Sequence, residues 1–346
     1  MAALVRRAAF LRRVARPRGP PAQRLLSAAP PPPALDLPLP DVGAMLPSDL
    51  GDRLRTHGYA VVDGAVGETW CHVLRDDIIT LYEKRLLGVN ATHIVKGGET
   101  SLLAKRGIFE AGLDGAAARE ACPWLRRLVQ NDAIRLRLGA LLGARLERMT
   151  LKVQLNGGGG ACFPLHFDSD PTVDGRLVTA ILYLNPDWVR ADGGELVVCP
   201  FPHASATFAP VFDRLVLFSS SDVAHRVLPS TTPRCCLTMW FYEDAAGART
   251  RARAAPAGAA ADGSLAPLLD AETRRLLARC AYADEWERSL EESHDASAAR
   301  DAAVQAHRDD CAKIEADLAA RGLALADFAH RLPLSRDDVA VDWFFR

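Results

Sequence analysis

The strongest constraint on the fold of this chain lies between Met149 and Asp244, where short β-favouring runs follow one another closely. Gly, Pro, Asn and Asp separate these runs, and such residues are typical of turns. Several short strands at this spacing favour an antiparallel sandwich or barrel over a parallel sheet. The predicted strands are Met149–Leu155, Arg176–Leu184, Gly194–Cys199, Leu215–Phe218, Arg226–Leu228 and Cys235–Tyr242.

Helical patterns precede this β-rich region. Tyr59–Asp63 predicts a short strand, and the apolar spacing of Glu68–Leu87 and Pro123–Leu146 predicts helices that pack against a sheet. The segment Val95–Gly112 is polar and has no clear period, so we interpret it as a mobile loop.

Composition and periodicity divide the chain into five predicted segments with an α+β, mainly β, fold. Apolar residues at helical spacing, among them Leu277 and Leu318, predict helices near the end of the chain. The segments are a leader at 1–30, a Pro-rich linker at 31–40, a folded domain at 41–244 with its core at 149–244, a linker at 245–263 and a helical extension at 264–346.

The leader at 1–30 carries seven arginines, and the first acidic residue of the chain is Asp36. Leu4, Leu11 and Val14 can share one face of a helix, so this segment resembles an organellar transit peptide. We therefore expect a mitochondrial protein. The alternative is a disordered tail biased towards Ala and Arg, on a protein of the cytoplasm or nucleus.

The whole-chain composition is that of an ordinary globular protein, with 49% hydrophobic and 25% charged residues. Because 42 basic and 43 acidic residues nearly cancel, no global field favours nucleic acid or an anionic membrane as partner. No apolar run is long enough for a membrane span, so no transmembrane helix is expected. The eight cysteines include no C-x-x-C pair, which favours packed thiols in a reducing compartment.

A potential metal site begins at His166 and Asp168. Residues two apart on a strand point the same way, so this imidazole and this carboxylate face one side. His225 lies well downstream at a strand end and would complete a 2-His-1-carboxylate set, which leaves three positions open on iron. His203 is the competing third ligand, but it lies beside Pro202 in a predicted turn, and we interpret it as a surface histidine.

A buried arginine is predicted a short distance after His225, at Arg234. Strand alternation places Arg234, Cys236, Thr238 and Trp240 on one face, where packing is the default expectation for Trp240. A guanidinium inside a barrel needs an anionic partner, and the far carboxylate of 2-oxoglutarate is a candidate.

In these motifs, residues 151–244 resemble the catalytic core of prolyl 4-hydroxylases, especially those of the EGL-nine type. The resemblance extends more weakly back to about Leu50. The matching stretches are His166-Phe-Asp168, Leu177-Val-Thr-Ala-Ile-Leu-Tyr-Leu-Asn-Pro-Asp-Trp188, Gly193-Gly-Glu-Leu196, Phe212-Asp-Arg-Leu-Val-Leu-Phe218, His225 and Arg234 through Trp240.

The resemblance implies a double-stranded β-helix, or jelly roll, with supporting helices. It implies that His166, Asp168 and His225 are the metal ligands and catalytic centre, and that Arg234, Tyr183 and Thr238 bind the co-substrate. The implied cofactors are Fe(II), 2-oxoglutarate, O2 and L-ascorbate. One departure concerns Asn156, or Leu155, which stands before Gly157–Gly160 where the family has a tyrosine that helps to form the co-substrate pocket.

The expected function is a 2-oxoglutarate-dependent dioxygenase that hydroxylates a C–H bond, with a peptidyl proline as the first candidate substrate. A protein or peptide partner is therefore expected. Two alternatives stay open: the same chemistry on another residue or a small molecule, and a non-catalytic protein that binds iron and 2-oxoglutarate. The motifs do not separate these, because variable loops make the substrate contacts.

Overall fold

The computed structural model describes residues 37–96, 99–113, 115–244, 247 and 258–344. The predicted leader at 1–30 lies outside the described residues, as does most of both predicted linkers. Those assignments stay predictions. Within the described ranges, no helix combines the length and the apolar character needed to cross a membrane.

The larger sheet has seven strands, and every neighbouring pair in it is antiparallel. Its spatial order is β1, β9, β6, β11, β4, β3 and β2. In chain order these strands are β1 (Tyr59–Asp63), β2 (Gly88–Lys96), β3 (Glu99–Gly112), β4 (Leu146–Asn156), β6 (Arg176–Tyr183), β9 (Arg214–Ser219) and β11 (Arg234–Glu243).

The smaller sheet has four antiparallel strands in the order β5, β10, β7 and β8. The two sheets form the core expected of a double-stranded β-helix. A separate two-stranded sheet pairs β12 with β13 near the end of the chain. The bounds are β5 (Ala161–His166), β7 (Leu196–Cys199), β8 (Ala206–Phe208), β10 (Ala224–Ser230), β12 (Gly258–Ala260) and β13 (Val339–Val341).

Helices pack around these sheets. Before residue 150, α3, α5 and α6 contact β4 of the larger sheet. After residue 260, α8 contacts β5 of the smaller sheet, and α7 and α9 pack against α8. The helices are α1 (Val42–Met45), α2 (Leu50–His57), α3 (Glu68–Glu83), α4 (Ala116–Ala121), α5 (Pro123–Val129), α6 (Asp132–Leu142), α7 (Ala271–Ala281), α8 (Ala283–Ser293), α9 (Ala298–Ala320) and α10 (Ala326–Ala329), with 3-10 turns at Arg190–Asp192 and Gly263–Leu269.

Strand β11 lies at the centre of the larger sheet, between β4 and β6. Nine of its ten residues are buried, because both faces of the strand are covered. One face packs against apolar side chains, and the other faces the space between the two sheets. Thr238 and Trp240 lie on the interior face, opposite Ile181 and Thr179 of β6. The alternation predicted for this segment therefore places its polar residues inside the barrel.

The interpretation of Val95–Gly112 as a loop was wrong. This segment contains the end of β2 and all of β3, which pair with each other and continue the larger sheet through β4. The usual apolar alternation is missing because Lys105 and Glu110 bond to Asn90 and to other polar groups, not to an apolar core. Because these buried polar side chains bond to one another, the strand lacks the apolar alternation by which strands are predicted.

The C-terminal helices share their packing with the smaller sheet. The Ser289 hydroxyl of α8 accepts a hydrogen bond from the backbone N–H of Leu165 at 2.9 Å, and Trp286 packs in the same apolar cluster as Leu165. Arg226 of β10 is almost fully buried and donates to Glu285 and Glu292 of α8. Because Arg226 is the chain neighbour of His225, α8 is fastened to the strand that carries this histidine.

We predict that Arg226→Met lowers the free energy of unfolding by about 2–3 kcal/mol. Breaking a buried ion pair costs about 3–5 kcal/mol, and the partial exposure of Glu285 and Glu292 reduces that cost. Urea unfolding measures the change. Arg308→Met is the matched control, because its pair with Glu287 lies at the surface, where solvent screening leaves it little effect on stability. Equal effects in the two variants would contradict the assigned role.

Candidate active site

Three side chains with metal-binding atoms meet between the ends of β5 and β10. His166 ends β5, Asp168 follows it, and His225 pairs directly with His166 in the register of the two strands. Asp168 lies 3.5 Å from Nε2 of His166 through Oδ1 and 3.9 Å from Nε2 of His225 through Oδ2. One ligand atom from each residue lies within 4.8 Å of the others. The three atoms are therefore close enough to converge on a single cation.

The backbone fixes the orientation of both imidazoles. Nδ1 of His166 donates to the carbonyl oxygen of Pro164 at 2.8 Å, and Nδ1 of His225 lies 3.4 Å from the carbonyl oxygen of Val223. A carbonyl can only accept, so Nδ1 holds the proton and Nε2 offers a lone pair towards Asp168. Burial lowers the pKa of His225 to about 4, which keeps this imidazole neutral at pH 7. Neutral imidazole is the form that binds metal.

Two neighbours hold the carboxylate of Asp168. Its Oδ2 accepts from the Thr179 hydroxyl at 2.6 Å and from the Trp240 indole N–H at 3.1 Å. Burial alone raises the pKa of Asp168, but the positive charge that His225 and His166 carry when protonated and the Thr179 hydrogen bond outweigh it, so the net pKa is below its usual value. Since Oδ2 is engaged, Oδ1 is the oxygen best placed for a metal.

A second group of polar side chains lies buried on the inner face of the same sheet. Arg234 is 3% exposed, and its guanidinium carbon lies 4.9 Å from the centre of the Tyr183 ring. Nε of Arg234, the Tyr183 phenol oxygen and the Thr238 hydroxyl oxygen are buried without a hydrogen-bond partner among the described residues. Burial raises the pKa of Tyr183, so the phenol stays protonated and can donate. Three unsatisfied donors in one interior indicate a place for an acceptor-rich ligand.

Two backbone features shape the space around Arg234. Gly194 has φ +79°, and a Cβ there would lie 3.1 Å from Cδ of Arg234, so the Gly193-Gly194 motif leaves room for the arginine. Asn156 pairs with Arg234 across β4 and β11. Its side chain accepts from the Gly158 N–H and donates to the Ala161 carbonyl. Asn156 therefore stabilises the turn at Gly157–Gly160 by bonding to its backbone, and this gives a structural reason for an asparagine at this position.

His203 lies outside the metal-binding group, as expected, but its interpretation as a surface residue was wrong. Its ring is half-buried against the C-terminal segment, with Nδ1 3.2 Å from the carbonyl oxygen of Leu334 and the ring 6.1 Å from that of Trp343. Burial lowers the pKa of His203. The reason for the error is that the neighbours of this ring come from the far end of the chain.

Sequence reasoning did not identify Thr179 and did not assign Trp240 a contact with Asp168. Both act on Asp168, and Thr179 also bonds to the Ser220 hydroxyl at 2.8 Å. Thr179 lies four residues before Tyr183 on β6 and therefore on the same face. That alternation was the available signal, but it does not reveal which side chain Thr179 meets.

We predict that His166→Ala, Asp168→Ala and His225→Ala each weaken Mn(II) binding at least tenfold, because each removes one of three metal-binding atoms. Equilibrium dialysis with Mn(II), a redox-stable substitute for Fe(II), measures the affinity. His203→Ala is the control and should bind as the wild type does. Loss of binding in His203→Ala, with retention in His225→Ala, would show that the site is assigned wrongly.

Comparison with known proteins agrees with this geometry. Residues 151–242 match the family described as the 2OG-Fe(II) oxygenase superfamily. Egl nine homolog 1 of Rattus norvegicus is 31% identical over 208 residues, which cover 58% of this chain and 59% of the relative. Prolyl hydroxylase EGLN3 of Rattus norvegicus is 37% identical over 132 residues, which cover 36% of this chain and 53% of the relative. The matches thus span less than two thirds of these relatives.

A solved structure extends the similarity to most of the chain. A crystal structure from a study of prolyl 4-hydroxylases from Phytophthora capsici superposes with a TM-score of 0.66 at 29% identity. The superposition covers 86% of this chain and 96% of that chain. The fold, the metal-binding group and the relatives all indicate the same family. That group consists of His166, Asp168 and His225. Residues 151–242 thus match the 2OG-Fe(II) oxygenase superfamily, and the chain is similar to proteins of the prolyl hydroxylase type.

Proposed function

We propose that this protein hydroxylates a peptidyl proline at C4, using Fe(II), 2-oxoglutarate and O2. The observation that carries the proposal is the presence, in one barrel, of a 2-His-1-carboxylate group and of a buried arginine that has no carboxylate partner among the described residues. The first group suits iron(II) with three open positions. The second suits the far carboxylate of 2-oxoglutarate.

The protein's own residues supply positioning at the metal end of the site. His166 and His225 would offer Nε2, and Asp168 would offer Oδ1 while Thr179 and Trp240 hold its other oxygen. When bound, iron(II) with 2-oxoglutarate and O2 supplies the oxidation of an unactivated C–H bond, with succinate and carbon dioxide as by-products. Ascorbate, which the family resemblance implies, would keep the metal reduced.

At the other end, Arg234 would form a charge-assisted pair with the C5 carboxylate of 2-oxoglutarate. The protonated Tyr183 phenol can donate to the same carboxylate, because the Arg234 guanidinium lies over its ring. The Thr238 hydroxyl lies on the same face of β11, between Arg234 and the metal end, and can donate to the bound co-substrate. These donors would fix the orientation of 2-oxoglutarate and exclude water from the guanidinium.

The proline substrate is inferred from the relatives, which are named as prolyl hydroxylases. The same site could act on another residue or on a small molecule, since the metal and co-substrate groups do not contact the target. A non-catalytic role is less well supported. A protein that only bound a partner would have no use for three metal-binding atoms together with a buried guanidinium that lacks a carboxylate in the part of the chain that the structure describes.

We predict that Arg234→Ala raises the KM for 2-oxoglutarate by roughly two to three orders of magnitude. Loss of a buried charge pair costs about 3–5 kcal/mol, and each 1.4 kcal/mol corresponds to about tenfold. Arg234→Lys should retain part of the affinity, because it keeps the charge but loses the planar fork. Succinate formation as a function of 2-oxoglutarate concentration measures KM.

Arg214→Ala is the matched control for this experiment. Arg214 lies in the same sheet, but Asp63 already holds its guanidinium at 2.6 Å and 2.8 Å. Its removal should leave the KM within about twofold, because no co-substrate contact is lost. An unchanged KM in Arg234→Ala would show that Arg234 serves the fold and would leave the co-substrate without its proposed partner.

A further inference from the structure

A network of charged and amide side chains lines the barrel wall formed by β2, β3 and β4. We call it the inner cluster, and it comprises Asn90, Lys105, Glu110 and Lys152. The Asn90 amide donates to Glu110 and accepts from Lys105, while Nζ of Lys152 lies 2.6 Å from Oε2 of Glu110. The reaction proposed above uses none of these four side chains. Their placement therefore calls for a separate explanation.

The inner cluster lies beside the metal-binding group on two sides. Nζ of Lys152 is 5.4 Å from the centre of the Trp240 ring, and the Trp240 indole donates to Asp168. Nζ of Lys105 is 5.2 Å from the centre of the Phe163 ring, and Phe163 precedes His166 on β5. Lys152 is thus one side chain away from Asp168, and Lys105 packs against the strand that carries His166.

The charges of the inner cluster do not cancel. Two ammonium groups accompany one carboxylate, so one positive charge is left over. Lys105 is more than nine-tenths buried, and its assigned hydrogen bond within the described residues goes to the neutral amide of Asn90. Burial lowers the pKa of Lys105 to about 8, against the opposing attraction of Glu110. Buried charges are normally paired, so an anion from outside the chain would relieve this imbalance.

The co-substrate does not account for this surplus charge. One carboxylate of 2-oxoglutarate is assigned to Arg234, and the other belongs at the metal. Lys152 retains contact with open space, with a side chain 26% exposed, and has three N–H donors of which Glu110 takes one. The remaining donors are available to a ligand that enters the barrel.

We propose that Lys152, supported by Lys105, binds a carboxylate of the substrate, so that the protein selects a peptide with an acidic residue near the target proline. This inference rests on the proposed peptide substrate. Glu110 tunes the subsite, because it neutralises one ammonium and holds Lys152 in place. An acidic side chain would add the missing negative charge, whereas an amide of the same shape would not.

The test measures peptide binding and not turnover. Synthetic peptides carry one central proline in a Gly, Ala and Ser background, with Glu at each of the six flanking positions in turn, and matched peptides carry Gln. Each is titrated into full-length protein loaded with Mn(II) and 2-oxoglutarate in the absence of oxygen. At one position or more, the Glu peptide should bind wild type about tenfold more tightly than the Gln peptide.

Variants test whether the inner cluster causes this preference. Lys152→Met should bring the Glu and Gln peptides to within about twofold, Lys152→Arg should restore part of the preference, and Glu110→Gln should increase it. The opposite effects of Lys152→Met and Glu110→Gln distinguish charge recognition from a general loss of structure. Lys84→Met is the control, because Lys84 is exposed beyond the end of α3. Its preference should equal that of wild type.

Two contrary outcomes separate the subsite from the function on which it rests. Wild-type protein that binds the Glu and Gln peptides equally at every position would overturn the subsite and leave the peptide substrate standing. Protein that binds Mn(II) and 2-oxoglutarate but none of the peptides would overturn the proposed peptide substrate, and the acidic subsite with it. A preference for Glu that persists in Lys152→Met would also overturn the assignment to the inner cluster.

Discussion

The antiparallel pairing of β5 with β10 is the interaction on which the site depends. It brings His166 and His225 into direct register, although they lie far apart in the chain. The long connection between them supplies β6 and β9 to the larger sheet and β7 and β8 to the smaller one, so the residues that join the ligands help to build both sheets. Arg226 then links β10 to α8 through its hydrogen bonds to Glu285 and Glu292. The geometry of the ligands is thus a consequence of how the barrel closes.

The barrel interior holds polar groups that the protein alone does not satisfy. Arg234 lacks a carboxylate, and Tyr183 and Thr238 lack hydrogen-bond partners within the described residues. Apolar packing on the outer faces of both sheets provides the stability that allows such an interior. Unsatisfied buried groups are costly and are expected where a ligand completes them. We therefore expect the co-substrate to supply the missing hydrogen-bond acceptors for Arg234, Tyr183 and Thr238.

Local patterns were sufficient to predict an antiparallel sandwich or barrel and to indicate the metal-binding set, because His166 and Asp168 obey the two-residue period of a strand; the jelly roll itself was predicted from the family resemblance. Contacts between distant segments could not be predicted in this way. The bond from Thr179 to Asp168 depends on how β6 and the end of β5 lie relative to each other. The β2 and β3 hairpin was missed because its polar residues satisfy one another, and α8 was missed although its neighbours α7 and α9 were predicted.

The central claim is that the metal and Arg234 hold the two ends of one co-substrate molecule. Calorimetric titration of 2-oxoglutarate into the protein, with and without saturating Mn(II) and in the absence of oxygen, tests it most directly. The account predicts one molecule bound per chain with Mn(II), and at least tenfold weaker binding without it, since Arg234 alone would hold only the C5 carboxylate. A protein that binds Mn(II) but shows no binding of 2-oxoglutarate would contradict the account.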